Sequence, residues 1–208
     1  MQRSARHYSR NKNNMVNQSG TELINPFKLL ERVGIRQGNR VADLGCGSLG
    51  HFVFPAAQLV GAQGAVYAVD VQRSVLDQIE RRAKDQQFWN VFPVWSDIDV
   101  FGATRIDEGS LDLTLLINNL YLSQNKPQLL REMARLARPG SRIVVVEWKT
   151  TASPLGPAPD KRIDAEEAKK VLESPLIEYH DSFEAGPYHY GLIYYRTDKQ
   201  LEDSAPSS

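Results

Sequence analysis

The stretch Val41-Ala42-Asp43-Leu44-Gly45-Cys46-Gly47-Ser48-Leu49-Gly50 constrains this chain more than any other. A short apolar strand runs into three glycines spaced Gly-x-Gly-x-x-Gly, and residues 49–60 then carry a helical apolar pattern. Glycine tolerates the left-handed backbone that a tight strand-to-helix turn requires, and it lets a ligand approach the main chain. Strand, turn and helix in this order open a parallel sheet, because the next strand must return by a right-handed crossover. The unit repeats. Strands are predicted at 40–44, 65–71, 90–95, 111–118 and 142–148, and helices at 49–60, 73–86 and 126–137. Residues 111–118 are apolar almost throughout, as expected of a strand covered on both faces. A first helix opens at Asn25-Pro26 and ends at Gly34, and Arg138-Pro139-Gly140 forms the turn before the fifth strand.

The remainder reads differently. A Pro- and Ala-rich loop, 150–159, precedes a charged helix at 160–172. Extended segments at 176–184 and 188–196 are separated only by Ala185-Gly186-Pro187, a connection short enough to demand an antiparallel hairpin. Residues 1–20 hold Arg3, Arg6, His7, Arg10 and Lys12 and no acid, which makes a flexible basic arm by composition. The expected organisation is therefore an arm at 1–20, one α/β domain at 21–197 and a frayed tail at 198–208.

Two acids narrow the ligand. Gly45-x-Gly47-x-x-Gly50 also satisfies the dinucleotide fingerprint, with Asp70 about where its ribose-binding acid belongs. Asp43, however, would place a like charge at the mouth of a pyrophosphate pocket. S-adenosylmethionine has no phosphate and carries an ammonium and a sulfonium, so the same acid attracts it while Asp70 accepts ribose hydroxyls. A purely structural turn is the other reading. A nicotinamide oxidoreductase is disfavoured by Asp43 and by the lack of a second, catalytic domain.

Lys plus Arg and Asp plus Glu each number 25 in 208 residues, which excludes a globally basic nucleic-acid binder but leaves room for a local patch. The single cysteine, Cys46, excludes an internal disulfide and a multi-cysteine zinc site, and no metal site is expected. No apolar run approaches the about 18 residues of a membrane span, and the first residues lack a leader's apolar core. A soluble, cytoplasmic protein is the expectation.

With Asp43, the glycine turn, Asp70 and Asp97 at successive strand ends, residues 20–197 resemble the class I S-adenosylmethionine-dependent methyltransferases. Val41-Ala42-Asp43-Leu44-Gly45-Cys46-Gly47 is similar to their first motif, Val69-Asp70 to the ribose acid, Ser96-Asp97-Ile98 to the adenine acid, and Leu136-Ala137-Arg138-Pro139-Gly140 to the turn before strand five. The similarity is closest to the branch of ubiquinone and menaquinone biosynthesis methyltransferases. It implies a Rossmann-like three-layer αβα sandwich whose seven-stranded sheet has the order 3-2-1-4-5-7-6, with only strand seven antiparallel. It also implies roles. Asp43 faces the cofactor ammonium, the amides of Gly45 and Gly47 line its methionine part with Cys46 packed in the turn, and a Cβ at Gly47 would hold the ligand away. Asp70 takes the ribose, Val71 packs on the adenine, Asp97 accepts the adenine amino group, and Ile98 offers an amide.

Asn118-Asn119-Leu120-Tyr121 ends the fourth strand beside the place where the methyl group is presented. Methyltransferases acting on amino groups of nucleic-acid bases often carry Asn or Asp, then Pro-Pro and an aromatic, at this point. Without the prolines, base methylation is put in doubt and Asn118 is left as a cofactor or substrate contact. Candidate bases on the acceptor side are His189, expected to titrate near neutrality, and Lys149; Glu147 and Lys149 can instead simply pair with neighbours. Tyr121, Trp148 and Tyr188 can form an aromatic wall, and the 150–159 loop can overhang it, although core-edge packing and a rigid spacer are the plainer readings. The implied function is methyl transfer to a small, partly apolar acceptor. The alternatives are RNA or protein methylation through the basic arm, and a non-catalytic cofactor-binding subunit.

Overall fold

The computed structural model describes residues 23–151 and 155–201, so the arm expected over 1–20 and the tail beyond 201 lie outside the described residues. Seven strands, β1 (Arg40–Leu44), β2 (Ala65–Asp70), β3 (Val91–Trp95), β4 (Leu111–Ile117), β5 (Ala137–Trp148), β6 (Ile177–Gly186) and β7 (His189–Arg196), form one sheet. Its order is β3-β2-β1-β4-β5-β7-β6, and β7 runs antiparallel to both neighbours. Between the strands run α1 (Pro26–Arg32), α2 (Val53–Val60), α3 (Arg73–Asp85), α4 (Lys126–Leu136) and α5 (Ala165–Val171).

Local chemistry sets several boundaries. The Asn25 side chain accepts from the Lys28 amide at 3.0 Å and Pro26 occupies the first turn of α1, while Asp164 caps α5 by accepting from the Glu167 amide at 2.8 Å. Two apolar layers cover the sheet. On one face Leu30, Val53 and Ile79 pack on Val41, Val66, Leu115 and Val144; on the other, Leu129, Met133 and Ala168 pack on Ala42, Leu44, Leu116 and Val145. The central strand β4 serves both, which explains its continuous apolar run. At the far edge, β3 holds Pro93, which lacks a donor and is tolerated there because β2 pairs with the strand on one side only.

Three boundaries differ from expectation. Residues 47–52 are turns, so the helix after the glycines starts at Val53. The fifth strand starts at Ala137, not Arg142: Ala137 pairs with Leu111, and an irregularity between Leu111 and Leu113, with Gly140 at φ +77°, absorbs the sequence that reads as a turn. The charged segment at 160–172 divides into a 3-10 turn, Pro159–Lys161, and α5, because Asp164 acts as a cap inside it. No helix of the described residues is long and apolar enough to cross a membrane.

Candidate functional site

The carboxyl ends of β1 and β2 are tied together by the glycine turn. The amides of Gly45 and Cys46 donate to the Val69 carbonyl at 2.8 and 3.0 Å, and the Gly47 amide donates to Asp70 Oδ2 at 3.2 Å. Asp70 Oδ1 accepts from the Gln72 amide at 2.9 Å. The amides of Gly45 and Gly47, expected to line a ligand, are both engaged in holding the turn and its acid in place, and Gly45 lines the adjoining cleft. At Gly45, φ +79°, a Cβ would come within 2.5 Å of the Asn119 carboxamide, whereas at Gly47, φ +63°, it would meet no protein atom within 4 Å. The close approach that demands glycine is therefore Gly45 against Asn119. Gly47 needs glycine for its backbone conformation.

Asp43 is 3% exposed, and burial, with the nearby Asp70 charge second, pushes its carboxyl up to about 7. Among the described residues no lysine, arginine or histidine pairs with it. A buried acid beside a second acid is a place where a cation is stabilised. Cys46 packs in the core, and burial pushes its thiol far above the ordinary range, which fits packing and not nucleophilic chemistry.

From this turn a cleft of about 210 Å³ runs over the ends of β2 and β3, lined by Gly45, Asp70, Val71, Ser96, Asp97, Ile98, Asp99, Asn119, Leu122 and Ser123. Val71 is 55% exposed, and the indole of Trp95, whose Nε1 donates to the Val71 carbonyl at 2.9 Å, stacks under the Arg73 guanidinium at 4.4 Å. Asp97 is exposed, and its Oδ1 accepts from the Asp99 amide at 3.0 Å in a turn without a helix. Sequence reasoning missed Asp99. Its carboxylate accepts from Ser123 Oγ at 2.6 Å and from the Gln124 amide at 2.7 Å, joining the two lips of the cleft across 24 and 25 residues of sequence. Only the doubled acid in Asp97-Ile98-Asp99 hinted at it.

Asn118, expected at the cofactor, is buried with φ +57° and lies outside the lining of this cleft; its neighbour Asn119 takes that place. The Asn118 carboxamide meets His189 Nε2 at 3.3 Å, and the imidazole packs against Trp148 with 4.2 Å between ring centres and the planes tilted by 42°. His189 is wholly buried, and burial, with Lys149 and Arg162 nearby, lowers its pKa to about 4. The expected titration near neutrality is corrected, because a sealed imidazole stays neutral there.

The aromatic wall also divides. Trp148 is buried beneath Gly156 and His189, Tyr121 and Tyr188 are half-buried, and no ring contact among the described residues joins the three. Lys149 pairs with Glu184, and its amide donates to the Tyr188 carbonyl at 2.8 Å. Arg162, also missed, is buried and donates to the carbonyls of Lys149, Thr151, Leu155 and Pro157 at 2.8 to 3.0 Å, fixing the chain after β5. No cluster of the described residues could hold a metal ion.

Residues 35–184 match the methyltransferase domain family. The chain is 28% identical over 119 residues to the 2-phytyl-1,4-naphtoquinone methyltransferase of Nostoc punctiforme, covering 57% of this chain and 50% of that one. It is 31% identical over 129 residues to the ubiquinone/menaquinone biosynthesis C-methyltransferase of Yersinia enterocolitica, covering 61% and 50%. The chain thus spans about half the length of these curated relatives. Among solved structures, an S-adenosylmethionine-dependent methyltransferase from Aquifex aeolicus superimposes with TM-score 0.79 at 24% identity, covering 87% of this chain and 94% of that one. The 4+2 cyclase SpnF shares the fold with TM-score 0.67 at 15% identity, covering 82% and 81%, so the fold by itself does not name a reaction.

Proposed function

The chain belongs to the S-adenosylmethionine-dependent methyltransferases, and from that premise we propose that it falls in the branch of the quinone-biosynthesis enzymes and methylates a small, partly apolar acceptor. The observation that carries this reading is Asp43. A buried acid raised to about 7 beside a second acid favours a ligand whose near end is cationic and whose next part is a ribose. In this reading Asp43 meets the ammonium, Asp70 accepts the ribose hydroxyls while keeping its two turn amides, and Val71 and Ile98 enclose the adenine. Asp97 receives the exocyclic amine.

When bound, S-adenosylmethionine supplies a methyl group activated by its sulfonium. The protein's own contribution is to orient the two reactants in line and to exclude water. His189, neutral and sealed, holds Asn118 and Trp148 in place and takes no proton at neutral pH. With His189 outside proton transfer, an electron-rich ring that attacks the methyl group directly suits the site, the sulfonium leaving as the neutral thioether and the displaced proton passing to solvent after transfer. One relative is named for a naphthoquinone and the other for quinone biosynthesis, which supports an apolar ring acceptor. Incubation with methyl-labelled cofactor and separated pools of metabolites and RNA, followed by mass analysis, tests the proposal. Label in a small apolar product supports it. Label only in RNA overturns the acceptor class, and cofactor binding without transfer to any pool overturns the activity.

A further inference from the structure

A buried carboxylate outside the cleft has no part in that mechanism. Glu147, in β5, is 1% exposed, and one of its oxygens accepts two consecutive amides, Leu120 at 2.6 Å and Tyr121 at 3.3 Å. Sequence reading left it to pair with a neighbour; no cation pairs with it among the described residues. Burying a carboxylate is costly unless such bonds offset it, and at this position a leucine would cost nothing of the kind.

The turn it grips has two marks of constraint. Asn118 holds a left-handed backbone, φ +57°, uncommon outside glycine and tolerated best by asparagine and aspartate among the other residues. Asn119 next to it reaches the other way: its Nδ2 lies 3.0 Å from the Gly45 carbonyl, 3.3 Å from that of Leu44 and 2.8 Å from that of Ile117. The same carboxamide fills the space that a Cβ on Gly45 would need, and it lines the cleft. A continuous chain of contacts thus runs from Glu147 through the 118–121 turn and Asn119 to the glycine turn. Glu147 itself never reaches the ligand space.

We propose that Glu147 is a positioning residue that, by gripping the 118–121 turn, holds the Asn119 carboxamide against Gly45 and thereby sets how tightly the cleft takes its adenosyl ligand. The proposal rests on the cofactor reading of the cleft. Wild-type protein that takes no S-adenosylhomocysteine overturns that reading and this proposal with it, whereas wild-type binding that the variants leave unchanged overturns the proposal alone.

The test is calorimetric titration of S-adenosylhomocysteine into wild type, Glu147→Gln, Asn119→Ala and the double variant, with hydrogen exchange read at Leu120 and Tyr121. Each single variant is expected to weaken binding about tenfold, and the double variant also about tenfold and not a hundredfold, because both act through one contact. Exchange at Leu120 and Tyr121 should accelerate in Glu147→Gln while β1 and β4 stay protected. Independent losses that multiply to about a hundredfold in the double variant would overturn the proposal. Should Glu147→Gln fail to fold, Asn119→Ala, which strips no buried charge of its amide partners, decides: unchanged affinity in that variant overturns the inference.

Discussion

At the ends of β1 to β3 Gly45, Asp70, Asp97 and Asp99 border an open cleft, with Asp43 buried and outside its lining, whereas at the ends of β4, β5 and β7 the polar groups Asn118, Glu147 and His189 are sealed from solvent. In the first region backbone amides are engaged in fixing Asp70, so the recognition groups stand in position before any ligand arrives. In the second, long-range contacts among side chains hold the strand ends, and the aromatic rings pack on protein. The open region combines turn chemistry at Asp70 with long-range contacts of Asp99 and Asn119, whereas the sealed region rests on tertiary packing alone. Substitutions of groups that line the cleft should accordingly act on affinity, and those in the sealed region on stability, with Glu147 reaching affinity only through Asn119.

The largest departure is expected from Asp43→Asn. Folding raises the Asp43 carboxyl from 3.8 to about 7 and the Glu147 carboxyl from 4.5 to about 7, so between those values the folded protein holds protons that the unfolded chain has released. The stability these groups contribute is present at low pH and is lost as pH rises toward 7. His189 works in the opposite sense: lowered from 6.5 to about 4, it contributes stability above that interval that is lost as pH falls through it. Two acids outweigh one imidazole, and the melting temperature of the free protein should fall as pH rises from 5 to 7 and level off above that. Asp43→Asn should flatten that slope and raise the melting temperature at pH 7.5, yet weaken S-adenosylmethionine about a hundredfold. An Asp43→Asn protein that loses both stability and affinity would show that this acid is structural and not held in place for a ligand.

Asp70→Ala should cost about 1 to 3 kcal/mol of S-adenosylhomocysteine binding in calorimetry. Because the Gly47 and Gln72 amides lose their acceptor, a lower melting temperature should accompany it. His189→Ala belongs to the other region: about 2 kcal/mol of stability lost, several degrees in a melting scan, with cofactor affinity within about threefold of wild type. Once an acceptor is known, His189→Asn should leave the shape of the pH–rate profile between 6 and 8 unchanged. The smallest effect is expected at Asp97→Asn, two- to threefold in affinity, because the carboxylate is exposed and screened.

How far the chain could be read from its residues follows the reach of each contact along the sequence, in both regions. The glycine turn and the succession of strands and helices were legible because each depends on neighbours in sequence and on the period of the apolar pattern, whereas the strand order followed from the resemblance to a known family. Strand five was misplaced because Arg138-Pro139-Gly140 has turn chemistry that pairing of Ala137 with Leu111 overrides. Asp99, Asn119, Glu147 and Arg162 escaped their roles for another reason. Asp99 meets Ser123 and Asn119 meets Gly45 across 24 and 74 residues, and no local spacing records such meetings. His189 was read as a titrating group because its tyrosine neighbours are visible in sequence, while its burial against Trp148 is not.

The central claim is that the cleft selects a nucleoside ligand with a cationic end. Calorimetric titration of the wild-type chain with S-adenosylmethionine and, separately, with NAD at pH 7.5 tests it most directly. The account predicts binding of S-adenosylmethionine at about micromolar strength and no measurable heat from NAD. Tighter binding of NAD than of S-adenosylmethionine would contradict it.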